Sequence, residues 1–133
     1  MARILLIDDD DSVRGMLRLT LTHFGHAVTE ARDGREGLGL FQPAGIDLVI
    51  TDIVMPDKEG LETVRELRKK DPAVKIIAMS GGGRMGKAID YLPIARRLGA
   101  AKVLAKPFST EVLIATVNEL LAADSAAPAV GSP

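Results

Sequence analysis

The segment Ile4-Leu5-Leu6-Ile7 runs straight into Asp8-Asp9-Asp10-Asp11, four aliphatic residues followed by four aspartates. Carboxylates about 4 Å apart repel by about 4 kcal/mol per pair in a surface-like dielectric. A cation relieves that repulsion. A hard divalent ion with oxygen ligands fits, since Mg2+ takes one or two carboxylates and keeps several waters. Asp8 and Asp9 can hold such an ion. Asp10 or Asp11 suits the cap of a following helix, whose positive dipole end favours a carboxylate. Three more reactive groups follow short apolar runs: Asp52, Ser80 and Lys106. A carboxylate beside a metal is a competent nucleophile toward phosphorus. Phosphoryl transfer needs mainly positioning and charge stabilisation, which an ammonium and a hydroxyl provide.

These groups act together only if the chain brings them to one rim. "RILLI", "IDLVIT" and "VKIIAMS" are apolar runs without alternation, as expected of strands buried on both faces. "HAVTEA" and "AKVLA" are weaker strands. Val13, Met16, Leu17, Leu21 and Phe24 recur at helical spacing, and Gly25 ends that helix. Asp33 opens a short helix containing three glycines, and "LETVRELRKK" forms an amphipathic helix stopped before Pro72. Pro93 places the start of the next helix near Asp90, because the first turn tolerates proline. Ser109 or Thr110 caps a last helix. The strand-helix unit occurs five times, which predicts an α/β domain with a doubly wound parallel sheet and helices on both faces. In such sheets the site lies beyond the carboxyl ends of the strands. Asp8-Asp9, Asp52, Ser80 and Lys106 end the first, third, fourth and fifth strands.

Asp8-Asp9, Asp52 within "DLVITDIVMPDKEG", Ser80 after "IIAM", and "KPF" make the chain resemble the receiver domain of bacterial two-component response regulators, of the single-domain chemotaxis-regulator type. The resemblance spans about Arg3 to Ala122. It implies a five-stranded parallel sheet in the flavodoxin-like order 2-1-3-4-5. It implies that Asp52 is the phosphoryl acceptor and that Mg2+ is held by Asp8, Asp9, Asp52 and the backbone carbonyl of Val54. Ser80 would hydrogen-bond a phosphoryl oxygen, and Lys106 would pair with the phosphoryl group or with Asp52. Pro107 matches the proline that shapes the loop after the lysine, and Met55-Pro56 and Gly60 match the turn into the third helix. The phosphoryl donor would be a sensor histidine kinase or a histidine phosphotransfer protein. Such a chain catalyses only its own phosphorylation and dephosphorylation, so it is not an enzyme in the ordinary sense.

The sequence departs from the family in strand five. Val103 stands where the family often carries Tyr or Phe, so a large ring rotation cannot report phosphorylation. We expect the response to fall on the loop "GGGRMG" after Ser80, with Tyr91 placed to report it. Val54 and Gly82, two residues past Asp52 and Ser80, offer no side chain to orient a water for dephosphorylation. "GGGRMGKA" also matches the P-loop spacing G-x-x-x-x-G-K. The hydroxyl residue required after the lysine is replaced by Ala88, and an NTPase leaves Asp8, Asp9 and "KPF" unexplained. A receiver fold that no longer accepts phosphate is another alternative, and a flavin-binding relative of the same topology is disfavoured because the acids after strand one would repel the cofactor's phosphate.

The chain has 133 residues, 47% hydrophobic and 26% charged, with a formal net charge of −1. That is one domain with enough apolar content for a core, without the basic footprint of nucleic-acid or membrane binding. There are no cysteines, which excludes disulfides and thiolate metal sites. His23 and His26 read as ordinary surface or turn residues. The N-terminus lacks the pattern of a signal peptide, and no segment is long and apolar enough to span a bilayer, so a cytoplasmic location is expected. The expected domain covers 1–122, with 123–133 a disordered tail or the start of a linker. A stand-alone receiver acting through a protein partner is favoured over one cut from a larger regulator. Arg96, Arg97 and Lys102 give a basic character to the face made by the helix near Asp90, the fifth strand and the last helix.

Overall fold

The structure, a computed structural model, describes residues 2–53, 59–80, 97, 99–105 and 108–130, and for Glu59, Ser80 and 123–130 the backbone alone. In chain order the elements are β1 (Arg3–Ile7), α1 (Asp11–His23), β2 (Ala27–Ala31), α2 (Gly34–Leu40), β3 (Leu48–Asp52), α3 (Glu59–Lys70), β4 (Ile76–Ser80), β5 (Lys102–Ala105) and α4 (Thr110–Val130). The five strands form one parallel sheet in the order β2-β1-β3-β4-β5. The helix expected near Asp90 lies outside the described residues.

The unbroken apolar runs resolve into two cores by strand alternation. Leu5, Ile7, Val49, Ile76 and Ala78 face one way and pack with Phe41, Val64 and Leu67 of the α2 and α3 side. Ile4, Leu6, Leu48, Ile50, Ile77 and Met79 face the other way, against Leu17 and Leu21 of α1 and Leu113, Ile114, Val117 and Leu120 of α4. Full burial of such a side chain contributes about 2 kcal/mol. A slip of one residue would exchange every side chain between faces, so the two cores fix the register together.

Local chemistry sets the helix ends. Asp10 caps α1, its Oδ1 accepting from the Ser12 and Val13 amides at 2.9 and 3.1 Å. The same helix ends in a Schellman arrangement: Gly25 N–H donates to Thr22 at 2.9 Å and His26 N–H to Leu21 at 3.1 Å. Gly25 has φ +92°, the left-handed region that glycine enters without strain. Asp33 caps α2 through the Glu36 amide at 2.8 Å, while Glu36 Oε1 accepts from the Arg32 amide at 2.7 Å. Glycines weaken α2 intrinsically, yet Gly37 is needed there: a Cβ would lie 2.8 Å from Ile7 Cγ1. Ser109 caps α4, its Oγ accepting from the Val112 amide at 3.1 Å.

α4 continues to Val130, past Ala122, where the sequence reading ends the domain. Alanine is the strongest helix former, and it dominates the stretch from Ala122 to Ala129. The last described side chains that pack on the core are Leu120 and Leu121. Among the described residues no helix is long and apolar enough to cross a membrane.

Candidate functional site

β1 and β3 are adjacent, with Ile7 opposite Thr51. The next residue on each strand is therefore an aspartate beside an aspartate, Asp8 and Asp52. Both are buried, at 0% and 5% exposure, whereas Asp9 is exposed. One carboxylate oxygen from each of Asp8, Asp9 and Asp52 can be chosen so that all three lie within 4.8 Å of one another. The sequence-predicted acidic set thus converges at the carboxyl ends of β1 and β3.

The backbone around these acids is tied down. Asp8 N–H donates to the Ala31 carbonyl at 3.1 Å, and Ile53 N–H to the Met79 carbonyl at 2.9 Å, so pairing extends past both strand ends. The Thr51 hydroxyl donates to the Asp52 carbonyl at 3.1 Å. The Asp10 amide donates to Asp8 Oδ1 at 2.9 Å. Arg14, on α1, sends Nη1 to the Asp8 carbonyl at 2.8 Å. Gly60, in the first turn of α3, packs on the backbone of Ile53.

The donor set fits Mg2+. Oxygens around that ion at about 2.1 Å lie at most about 4.2 Å apart, so 4.8 Å requires only a small contraction or one ligand acting through water. All three donors are hard carboxylate oxygens, and their mutual repulsion is what a divalent cation offsets.

Ser80 ends β4, in register with Ala105 at the end of β5. Val54, Lys106 and Pro107 lie outside the described residues, as do the "GGGRMG" segment, the P-loop-like lysine Lys87 and Tyr91. Val103 sits half-buried against the α2 and α3 core. Of the predicted basic face, Arg97 is exposed, Lys102 is paired with Glu119 at 3.3 Å, and Arg96 is outside the described residues. His23 is exposed, and His26 is half-buried with Nδ1 accepting from the Ala2 amide at 3.2 Å.

Sheet order and the placement of the acids define a class, and sequence comparison agrees with it. The chain matches the response regulator receiver domain family over residues 4–118 and belongs to that family. It is 37% identical over 119 residues to the response regulator MprA of Mycolicibacterium vanbaalenii, covering 90% of this chain and 50% of MprA. It is 33% identical to the chemotaxis protein CheY of Thermotoga maritima, covering 89% of this chain and 96% of that one. A crystal structure of a response regulator receiver domain protein from Clostridium thermocellum superposes with a TM-score of 0.85 at 31% identity, covering 94% and 98% of the two chains. The chain thus spans about half of MprA and nearly all of the chemotaxis protein.

Sequence reasoning missed Arg14. Its position on α1 is visible, but nothing in its spacing says that it reaches back to the Asp8 carbonyl.

Proposed function

We propose that this receiver accepts a phosphoryl group on Asp52 from a histidine kinase or a histidine phosphotransfer protein, in the cytoplasm, and thereby switches binding to a downstream protein. The convergence of Asp8, Asp9 and Asp52 carrying oxygens within 4.8 Å of one another supports this reading above all else. An Asp52 carboxylate oxygen attacks phosphorus in line. The new P–O bond forms as the P–N bond to the donor histidine breaks, and the imidazole leaves with the electron pair. Asp8, Asp9, Asp52 and the Val54 carbonyl would hold Mg2+. When bound, Mg2+ supplies positive charge opposite the phosphoryl oxygens. Ser80 and Lys106 contribute a hydroxyl and an ammonium to the same oxygens. Water then cleaves the acyl phosphate, so the chain modifies only itself and turns over no further substrate.

The receiver unit is 1–122 in this reading, and α4 beyond it is a tail or connector. Val103 has no ring to rotate, which supports a response that runs through the segment after Ser80.

Intact mass after incubation with a small-molecule phosphodonor and Mg2+ tests the proposal. One phosphoryl adduct is expected on the parent, absent with EDTA and absent in Asp52→Asn. A folded parent that gains no adduct would overturn it and leave a phosphate-independent interaction module.

A further inference from the structure

We propose that Arg14 is a positioning residue for the metal site, holding the Asp8–Asp9 peptide in the orientation that presents Asp9 to the cation. The inference rests on the reading of the three acids as a metal site. Arg14 has a side chain only 11% exposed, and all three arms of its guanidinium are engaged. Nε meets Glu30 Oε1 at 3.0 Å, Nη2 meets Asp11 Oδ1 at 2.6 Å, and Nη1 meets the Asp8 carbonyl at 2.8 Å.

A guanidinium is a rigid planar fork. Two carboxylates, one on β2 and one on α1, fix its plane and thereby aim its third arm at the carbonyl of Asp8. That carbonyl belongs to the planar peptide whose nitrogen is Asp9's. Holding the oxygen sets the plane, and the plane sets the direction in which Asp9 leaves the strand. On the other side, the Asp10 amide holds Asp8 Oδ1 at 2.9 Å. The backbone at the exposed Asp9 is therefore held between two fixed residues, which sets where its side chain starts.

The charge arrangement is consistent with this role. Glu30 and Asp11 flank the guanidinium, so its positive charge is locally balanced and does not oppose a cation at the acids. Burial pulls the Arg14 pKa down, but its hydrogen bonds and attraction to Asp11 and Glu30 outweigh that, and the net shift is upward. Arg18 provides an internal comparison: it pairs with the same Glu30, at 2.9 Å through its own Nε.

The test is calorimetric titration of Mg2+ into the parent, Arg14→Gln, Arg14→Lys and Arg18→Gln, at a temperature where circular dichroism shows each folded. The parent should bind one ion. Arg14→Gln should bind it about 10-fold more weakly, the usual size of an outer-shell loss. Arg14→Lys should fall between, and Arg18→Gln should match the parent. The Asp9 amide resonance should shift in Arg14→Gln without metal and stay in place in Arg18→Gln. Parent-like affinity in Arg14→Gln overturns the inference alone, as does equal weakening by Arg14→Gln and Arg18→Gln. A parent that binds no Mg2+ overturns the metal-site reading and this inference with it.

Discussion

Gly60 stands directly on the backbone of Ile53: a Cβ at position 60 would lie 2.6 Å from both the carbonyl carbon and the oxygen of Ile53. Backbone atoms cannot swing aside as a side-chain tip can. The first turn of α3 therefore sets the position of the residue that follows Asp52.

Gly60→Ala is expected to destabilise the fold. Helix propensity alone favours alanine by about 1 kcal/mol. Overpacking against fixed atoms costs about 1–3 kcal/mol and should win here. Urea denaturation would read a net loss, accompanied by weaker Mg2+ binding because Ile53 is displaced. A more stable Gly60→Ala would show that α3 shifts freely and does not brace Asp52.

The three acids predict a metal-dependent stability. Ligand binding at ten times its Kd adds about 1.4 kcal/mol. For a domain of this size that is roughly a 3–8 °C rise in Tm. Asp9→Asn should lose most of that rise. Without metal, Asp9→Asn should melt no lower than the parent, because Asp9 is exposed and its removal leaves two carboxylates where three stood. Thermal scans with EDTA and with Mg2+ decide both points. A clearly lower metal-free Tm for Asp9→Asn would show that its carboxylate makes favourable contacts stronger than the repulsion.

Asp10 and Asp8 are separable by mutation although they are neighbours. Asp10 contributes its side chain to the α1 cap, at 2.9 and 3.1 Å, and its backbone amide to Asp8. Asp10→Ala should cost about 1 kcal/mol of stability, the usual value of such a cap. It should leave Mg2+ affinity nearly unchanged, since the backbone amide remains. A large loss of affinity would mean that the cap itself positions the site.

His26 should make stability fall in mild acid. Its partial burial lowers its pKa from 6.5, and its Nδ1 accepts the Ala2 amide only when unprotonated. The unfolded chain therefore takes up this proton at a higher pH than the folded one. Stability from this source is full above about 6.5 and is lost as pH falls through that value toward the folded pKa. Asn at 26 offers an acceptor that does not titrate. Between pH 7.5 and 5.5, His26→Asn should lose less Tm than the parent. Equal slopes in the two proteins would remove His26 as the cause.

The strands and the acids at their ends were legible because each rests on a local pattern: an apolar run and the residue after it. The strand order came with the family resemblance and not from periodicity. What stayed hidden depends on contacts across the fold. Gly37 looks like a flaw in α2 until Ile7 is seen beneath it. His26 reads as a turn residue because the Ala2 amide that it accepts lies on the neighbouring chain segment. Lys102 reads as part of a basic face because Glu119, its partner, stands on the following helix, and only the fold sets that side chain beside the fifth strand. Asp10 was one of two possible caps, and only its backbone angles and two short hydrogen bonds single it out.

The pairing of Ile7 with Thr51 has an evolutionary consequence. The same alignment that seats both cores also brings Asp8 beside Asp52, so folding proofreads the geometry of the site. A chain that shifts one strand loses its interior along with its chemistry and is discarded as misfolded. A change of one acid escapes that check, because the side chain alters while the alignment stays. Descendants of such a sequence can lose the acidic cluster and still circulate as sound, well-folded proteins.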